Sequence, residues 1–236
     1  MIQSNLLAFV ITAALALGWL RLNDYFVHKG WINGPVSRKI IHMGTGPIFV
    51  LCWLLFPDTA YSRYIAALIP LGITAQFALV GLGILKDPSA VQAMSRSGDR
   101  REILRGPLFY GIVFVILTIW FWKDNAIGIV ALMLLCGGDG LADIIGKRYG
   151  SVKLPWSNQK SIAGSLAVLA GGWVFTLIVV GIYLGLNIWD KSLIDYVLPI
   201  TVIALVGAIV ESLPFRDIDN LTVPAVAIFL GYLILP

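Results

Sequence analysis

The chain has 236 residues, of which 58% are hydrophobic and 13% are charged, and its formal net charge is +4. Soluble domains carry about 25% charged residues, so this composition excludes a soluble enzyme or binding module and indicates an integral membrane protein. Loops that face anionic lipid headgroups account for the small positive charge, and no nucleic acid partner is expected.

Apolar runs recur along the whole chain and predict an all-α polytopic bundle of about seven or eight transmembrane helices, forming a single membrane-embedded domain over residues 1–236. The runs cover residues 5–22, 40–56, 64–85, 107–122, 126–145, 162–186, 197–213 and 222–235. Crossing a bilayer takes about 20 residues, so the short fourth and eighth runs are expected to be tilted, re-entrant or lengthened by flanking residues. The first run is interpreted as a membrane helix, because no cation precedes it and no signal-peptide cleavage pattern follows it.

Lysine and arginine alternate between rich and poor gaps along these runs. The ends of the first, third, fifth and seventh runs and the gaps after them hold all 17 cations except three, which are Arg63, Lys123 and Lys191. Cationic loops near membrane ends resist translocation, so we expect the rich loops to face the cytoplasm and both termini to lie outside. A miscounted helix would disrupt this alternation, so it supports the count of about eight crossings.

Two polar groups precede the fifth run. Arg38 and His42 lie one turn apart at the start of the second helix, where they can reach a phosphate or a polar substrate group, although a histidine at a membrane boundary is also an ordinary interfacial residue. Residues 86–105 form the longest polar stretch and suggest a surface helix over a pocket, with candidate contacts at three positions, Asp99, Glu102 and Arg105.

The end of the fifth run carries two acids on one helix face. Asp139 and Asp143 are four residues apart, and Lys147 continues that face one turn later. Two neighbouring carboxylates near a membrane interface repel each other and need a cation, most simply a divalent metal with oxygen ligands. The alternative is an Asp143–Lys147 pair at the helix end, with Asp139 facing a water-filled gap.

Cations and hydroxyls follow these acids in a pattern that favours phosphate binding. The cations are Lys147, Arg148, Lys153 and Lys160, and the serines that lead into the sixth helix are Ser157, Ser161 and Ser165. A helix N-terminus with hydroxyls and nearby cations binds phosphate, and metal-binding acids beside it describe a nucleotide triphosphate pocket. The serines can equally be capping and packing residues, and the cations are also expected from topology alone. The spacing does not match a Walker loop.

The run GDGLADIIGKRYGSVKLPWSNQKSIAGS at 138–165 resembles the signature of the polyprenol kinase family, the CTP-dependent membrane kinases of phytol, farnesol and dolichol. Supporting matches are RKIIH, GD-x-x-E, RGPLFYG, ESLP and DNLTVP, which begin at residues 38, 98, 105, 211 and 219. Their order and wording look closest to the phytol kinase branch, and they extend over most of the chain.

The segment 137–165 also resembles, more distantly, the CTP:phosphatidate cytidylyltransferases. The shared positions are Asp139, Ala142, Gly146, Ser157, Lys160, Ser161 and Gly164. The chain lacks the K-D and H-G-G elements of that family's C-terminal signature. Arg216, Asp217 and Asp219 resemble these elements only weakly. Asp143 stands where the cytidylyltransferases usually carry an aromatic residue, which favours the kinase interpretation.

The resemblance implies transfer of the γ-phosphoryl group of CTP to a membrane-dissolved isoprenoid alcohol, with phytol favoured over farnesol, geranylgeraniol or dolichol, and with CDP as the second product. It implies catalytic roles for Asp139, as the first Mg²⁺ ligand, and for Asp143, as a second Mg²⁺ ligand or the group that orients the attacking hydroxyl. Glu211, Asp219 and Asn220 are expected to complete the metal shell. The residues implied for CTP binding are Lys147, Arg148, Lys153, Lys160, Ser157, Ser161, Arg38 and His42. Under the alternative interpretation, Glu211 and Asp219 belong to an ordinary acidic loop and Asn220 caps the last helix.

The resemblance further implies a multi-pass protein of a bacterial or cyanobacterial plasma or thylakoid membrane, with its active site on the cytoplasmic face and a role in isoprenoid metabolism and tocopherol biosynthesis. Two other classes stay open at this stage. A cytidylyltransferase would release pyrophosphate from CTP, and a cation- or proton-coupled transporter would use paired intramembrane acids without nucleotide turnover.

Overall fold

The computed structural model describes residues 2–95, 97–214 and 218–236, except for the side chains at positions 34, 35, 93 and 139. Over these residues the chain forms a bundle of α-helices, as predicted, and one two-stranded sheet that was not predicted. The elements are α1 (Asn5–His28), α2 (Gly34–Cys52), α3 (Ser62–Leu82), α4 (Pro88–Met94), α5 (Gly106–Trp120), α6 (Ile127–Tyr149), β1 (Lys153–Leu154), β2 (Ser157–Ser161), α7 (Ile162–Gly185), α8 (Leu193–Ser212) and α9 (Asp219–Ile234).

Six of the described segments are long and apolar enough to cross a membrane. They are α1, α3, α6, α7 and α8, together with α5 extended by the 3-10 turn that precedes it. The first half of α2 carries Arg38, Lys39 and His42, and α9 has only 16 residues. The short α9 agrees with the prediction for the eighth run, and the bundle is polytopic as expected.

Helix α6 lies at the centre of the bundle. Its most apolar stretch is 76% buried, whereas the other five candidate spans are 11–39% buried. The neighbouring helices α2, α7 and α9 surround it, and every side chain from Ile129 to Cys136 is buried. The two acids of the sequence motif therefore lie on the last turns of the most buried of the six described candidate spans.

Helices α6 and α7 are in close contact through glycines. A Cβ atom at Gly137 would lie 2.7 Å from the carbonyl oxygen of Gly171, and a Cβ atom at Gly138 would lie 2.9 Å from a side-chain methyl of Val168. Small residues allow helix backbones to approach closely in membranes, where van der Waals packing drives association. The glycines before the acids therefore fix α6 against α7.

The loops that follow α1, α3, α6 and α8 meet at one end of the bundle, which we name the cationic end. Here the side-chain amide of Asn220 donates to the carbonyl oxygen of Gly106 at 3.1 Å, and Nη1 of Arg38 donates to the carbonyl oxygen of Ser95 at 3.2 Å. These bonds join α9 to α5 and α2 to the segment after α4. The loops that the sequence marks as rich in lysine and arginine therefore lie together at one end of the bundle.

Ion pairs also connect the loops at the opposite end of the bundle. Arg63 lies 2.9 Å from Asp124, and the almost buried ammonium of Lys123 lies 2.6 Å from Asp58. The same ammonium donates to the carbonyl oxygen of Phe56. Two of the three cations expected at this end thus have structural partners.

Several helix ends differ from the predicted runs. Helix α8 begins four residues before position 197, because Ser192 and Asp195 form a capping box there. Helix α6 continues four residues beyond position 145, and the pair formed by Asp143 and Lys147 supports this polar extension. The polar ends of these helices carry no hydropathy signal, so runs defined by apolar residues missed them.

The predicted surface helix over 86–105 forms only in part. Helix α4 has seven residues, and a 3-10 turn follows over Arg100–Leu104. Between them Gly98 adopts a φ of +85°, a left-handed conformation that ends regular helix. The stretch is therefore two short pieces rather than one helix.

Candidate active site

The carboxylate of Asp143 is paired within α6. Its Oδ2 lies 2.9 Å from Nζ of Lys147, and the two side chains are 33% and 71% exposed. This is the helix-end pair that the sequence offered as the alternative to a metal site. The side chain of Asp139 lies outside the described part of the structure, but its helix position is one turn after Leu135 and one turn before Asp143.

The segment between α6 and α7 forms a β-hairpin that the sequence did not predict. Strands β1 and β2 pair antiparallel, with Lys153 opposite Ser161 and Leu154 opposite Ser157. The indole Nε1 of Trp156, at the turn, donates to the carbonyl oxygen of Ser212 at 3.1 Å and lies 3.3 Å from its hydroxyl. The tip of the hairpin is thereby attached to the last residue of α8.

Lys160 connects this hairpin to two acids of the ESLP and DNLTVP motifs, Glu211 and Asp219. Its Nζ lies 2.7 Å from Oε1 of Glu211 and 3.8 Å from Oδ2 of Asp219, and it also donates to the carbonyl oxygen of Glu211. The side chains of Lys160 and Glu211 are 22% and 11% exposed. The structure thus brings together one predicted phosphate ligand and two predicted metal ligands.

A small cavity lies beside this cluster and reaches α6. Glu211, Asp219 and Asn220 line its polar side, and Leu134 and Leu135 belong to its apolar side. Leu135 is one helical turn before Asp139, so the cavity lies next to the motif on α6. Glu211 of α8 and Asp219 of α9 therefore share a cavity with α6, the helix that carries the aspartate pair.

Asn220 does not cap the last helix, so this alternative from the sequence is wrong. Helix α9 begins at Asp219, whose carboxylate accepts from the backbone N–H of Asn220 at 3.0 Å. The amide of Asn220 instead holds the start of α5 through Gly106. Asn220 also lines the cavity beside the cluster.

The predicted serines have local bonding roles. The hydroxyl of Ser157 accepts from the backbone N–H of Lys160 at 3.3 Å, and Ser161 caps α7 by accepting from the N–H of Gly164 at 3.2 Å. Both serines are buried. The capping interpretation thus describes their bonds in this structure, and the N-terminus of α7 lies directly after the hairpin.

Exposed cations surround the cluster at the cationic end. Lys147, Arg148 and Lys153 are exposed, and the guanidinium of Arg148 lies 5.5 Å from the ring of Tyr149. Together with Lys160 they form a positive rim around the end of α6 and the hairpin. Such a rim attracts polyphosphate from solution.

Arg38 and His42 lie on α2, which packs against α6. Arg38 is bonded to Ser95, and the imidazole of His42 lies 4.3 Å from the ring of Tyr110. The hydroxyl of Tyr110 donates to the carbonyl oxygen of His42 at 3.1 Å and lies 3.2 Å from Sγ of Cys136. Tyr110 therefore joins α2 to α6 one turn before Asp139.

The candidates on the segment after α4 bond locally. The carboxylate of Asp99 accepts from the N–H of Arg101 at 2.9 Å, and that of Glu102 accepts from the N–H and hydroxyl of Ser97 at 3.1 Å. Arg105 is exposed where the 3-10 turn meets α5. These groups shape the segment that Arg38 contacts.

Sequence reasoning missed Tyr110 and Trp156, which tie the site's elements together. Both lay within motifs already noted, RGPLFYG at 105–111 and the run at 138–165, but neither motif reveals a partner. Two other residues of interest, Arg216 and Asp217, lie outside the described residues. Among the side chains that are described, no three of the types His, Cys, Asp and Glu form a cluster able to hold a metal, and Asp139 is not among them.

Comparison with known proteins gives close relatives over nearly the whole chain. The chain is 38% identical over 235 residues to probable phytol kinase 3, chloroplastic, of Glycine max, and 35% identical over 233 residues to probable phytol kinase, chloroplastic, of Triticum aestivum. These alignments cover 98% and 96% of this chain and 73% and 76% of the relatives. Farnesol kinase, chloroplastic, of Arabidopsis thaliana is 34% identical over 235 residues, which cover 99% of this chain and 76% of that protein. No family model and no solved structure matches the chain.

Proposed function

The chain belongs to the polyprenol kinase family, which contains the phytol and farnesol kinases, and we propose that it transfers the γ-phosphoryl group of CTP to the hydroxyl of an isoprenoid alcohol, with phytol as the favoured substrate. The alcohol oxygen forms a bond to the γ-phosphorus, and the bond from that phosphorus to the β–γ bridging oxygen breaks. The products are the isoprenoid monophosphate, CDP and the proton of the hydroxyl.

One observation carries this proposal. Lys160 from the signature segment and Glu211 with Asp219 from the second motif region meet within 3.8 Å, although they are more than 50 positions apart in the sequence. Phosphoryl transfer needs positioning and charge neutralisation more than covalent chemistry. A cluster that combines a cation with hard oxygen donors beside a positive rim suits that need.

The donor chemistry of the cluster fits a divalent metal. Glu211 and Asp219 supply carboxylates and Asn220 supplies an amide oxygen, and Leu135, one helical turn before Asp139, lines the same cavity. Hard oxygen ligands of this type are those that Mg²⁺ prefers. In this proposal Asp139, Asp143, Glu211, Asp219 and Asn220 hold Mg²⁺, which would neutralise charge on the transferring phosphoryl group.

The remaining residues act on the two substrates. Lys147, Arg148, Lys153 and Lys160 hold the phosphates, and capping by Ser157 and Ser161 fixes the hairpin and the start of α7 around them. Asp143 has a carboxylate that is one-third exposed, so it is placed to accept a hydrogen bond from the alcohol hydroxyl and to orient it. CTP as the donor rests on the resemblance of segment 137–165 to the signature shared with the cytidylyltransferases.

The membrane setting suits the two substrates. An isoprenoid alcohol keeps its tail in lipid and its hydroxyl near the headgroups, and this is the depth we expect for the end of α6. We assign the cationic end to the cytoplasmic side, because cation-rich loops are retained there. Under this assignment, the nucleotide comes from solution and the alcohol from the bilayer.

The test is to identify the nucleotide product. Purified protein in detergent is incubated with Mg²⁺ and either CTP or ATP, with phytol, farnesol or phosphatidic acid as acceptor. The proposal expects CDP and phytyl monophosphate from CTP and phytol, with a lower rate for ATP. Pyrophosphate release with phosphatidic acid would instead identify a cytidylyltransferase, and an equal rate with ATP would remove CTP as the specific donor.

A further inference from the structure

A second cavity lies between α1, α2, α3 and α5. The space it encloses is about 40 Å³, or about 400 Å³ when its open side is counted, and we name it the apolar cleft. Ala16, Ile48, Phe49, Ile73 and Phe114 are among the residues that line it. Along α1 the lining runs from Thr12 to Trp19, which corresponds to about 10 Å of helix.

The walls of the apolar cleft have few polar atoms available to a ligand. The hydroxyls of Thr12 and Thr45 donate to the carbonyl oxygens of Ala8 and Ile41 in their own helices, at 2.7 and 2.6 Å. The indole N–H of Trp19 also points to the carbonyl oxygen of Ile41, at 3.4 Å. A surface whose hydroxyls are satisfied internally favours a hydrocarbon over a polar ligand.

The rings of Phe114, Tyr110 and His42 contact one another in tilted pairs between the apolar cleft and the candidate site. On α2, Thr45 and Phe49 follow His42 by one and two turns, and on α5 Phe114 follows Tyr110 by one turn. The ring of Tyr110 lies 4.6 Å from that of Phe114 and 4.3 Å from that of His42. The His42–Tyr110 pair therefore stands between the cleft and the cationic end.

The same pair contacts the acid-bearing helix. The hydroxyl of Tyr110 lies 3.2 Å from Sγ of Cys136, which is one turn before the position of Asp139. A Cβ atom at Gly140 would collide with the side chain of Met43, the residue after His42, so α2 and α6 touch at this depth. A molecule with its chain in the cleft would thus place its head group beside α6.

We propose that the apolar cleft binds the isoprenoid chain of the alcohol, and that Ala16, Ile48 and Ile73 select among alcohols by the shape and length of the chain near the hydroxyl. This inference rests on the proposed function for the identity of the occupant. The hydroxyl lies at the His42–Tyr110 pair, between the cleft and the acids of α6. The cleft is shorter than a long isoprenoid, so the remainder of the chain extends into lipid.

The main experiment narrows the cleft with Ala16→Phe and compares this variant with Ala14→Phe. Ala14 lies on the same helix two residues earlier and is exposed on its outer face. Full-length protein in nanodiscs is assayed with phytol, farnesol and the short alcohol prenol. We expect Ala16→Phe to raise KM for phytol about tenfold or more and to raise KM for prenol much less, because the shorter chain fills less of the cleft. We expect Ala14→Phe to match wild type with every alcohol.

A binding measurement separates this inference from the proposed function. A farnesol analogue with a diazirine on its chain is crosslinked to the wild-type protein, and the labelled peptides are located by mass spectrometry. We expect labels on α2 and α3 near Ile48 and Ile73, suppressed by excess phytol. Labelling there without phosphorylation of any alcohol would overturn the proposed function and leave the cleft assignment standing.

Other outcomes would overturn the cleft assignment itself. Active protein whose chain preference is unchanged by Ala16→Phe would show that the chain binds elsewhere. Labels spread over lipid-facing residues, with no competition by phytol, would mean that the cleft holds bulk lipid only. If Ala16→Phe fails to fold, Ile73→Ala, which enlarges the cleft, replaces it and is expected to shift preference toward bulkier chains.

Discussion

Lys160 and Glu211 form an ion pair across 51 positions of the chain, with 2.7 Å between Nζ and Oε1. Their side chains are 22% and 11% exposed, so water screens this pair less than a surface pair. The pair joins the hairpin after α6 to the end of α8. It brings two motif regions that are distant in the sequence into contact.

Replacing Glu211 by glutamine tests this contact. The change keeps the size of the side chain but leaves the largely buried ammonium of Lys160 with Asp219 as its nearest remaining carboxylate. We expect a loss of about 1–3 kcal/mol in the free energy of unfolding and a fall in turnover of about tenfold or more, since the site loses a proposed metal ligand. Thermal unfolding in one detergent and the rate of CDP release measure the two effects.

Asp124→Asn is the matched control for that variant. It also removes one acid from an ion pair, but Asp124 is 50% exposed and lies with Arg63 at the opposite end of the bundle. An exposed pair contributes less than about 1 kcal/mol. Equal effects of the two variants on stability and turnover would contradict a special role for the Lys160–Glu211 pair.

The aspartates of α6 provide the sharpest test of the chemistry. Asp139→Asn replaces a charged oxygen donor by a neutral group of the same shape, so insertion and folding should be retained. We expect turnover to fall by about a hundredfold or more, because even partners of metal ligands are worth about 10–100-fold. Asp143→Asn should also lower turnover, and it removes the charge that now pairs with Lys147.

Asp190→Asn serves as the control for both aspartate variants, since Asp190 is exposed in the loop between α7 and α8, at the opposite end. Its rate should equal that of wild type. Near-normal turnover of Asp139→Asn in correctly folded protein would remove Asp139 from the site. A rate that recovers at high Mg²⁺ concentration would strengthen its assignment as a ligand.

Much of this fold could be predicted from the sequence because lipid imposes a simple rule on backbone polar groups. Every apolar run became a helix, since a helix satisfies its own N–H and C=O groups. The helix ends were less predictable: α8 begins at a capping box and α6 ends in an ion pair, and neither contributes to hydropathy. Position along the chain also gave no sign that α6 is the central helix.

Residue types in the sequence indicated the candidate site, but they did not indicate its contacts. Charge and spacing indicated the acids of α6 and the cations after them, and resemblance added Glu211 and Asp219. The hairpin was missed because the segment SNQKS alternates too weakly to indicate a strand, and its turn is fixed by the bond from Trp156 to Ser212. Such pairings depend on tertiary packing, which no local pattern encodes.

The bond from Trp156 to Ser212 leads to a prediction about the hairpin. Trp156→Phe keeps an aromatic ring and removes the N–H that donates to the end of α8. We expect faster hydrogen exchange over residues 153–161 and a several-fold higher KM for CTP, because the hairpin that carries Lys160 becomes less well held. Hydrogen exchange with mass spectrometry and initial-rate kinetics provide the two measurements.

Trp120→Phe is the control, since Trp120 is 71% exposed at the far end of α5. It should change neither the exchange of the hairpin nor KM. If the amides of residues 153–161 exchange as slowly in Trp156→Phe as in wild type, the bond from Trp156 does not fix the hairpin.

The contact between Gly137 and Gly171 gives the last prediction, which concerns how α6 is held. Gly171→Ala would place a Cβ atom against the carbonyl oxygen of Gly137, and backbone atoms on both sides leave little room to adjust. We expect the variant to lose about 1–3 kcal/mol of stability, the usual cost of overpacking, because α7 must move away from the central helix. Gly72→Ala, inside α3 with no atom within 4 Å of the added Cβ, should instead be neutral or gain up to about 1 kcal/mol from helix propensity. Thermal unfolding of both variants in the same detergent provides the comparison, and a similar change in both would show that the close approach of α6 and α7 does not limit stability. Because the movement also shifts the acids of α6 relative to the hairpin, Gly171→Ala should lower turnover even at temperatures where it stays folded.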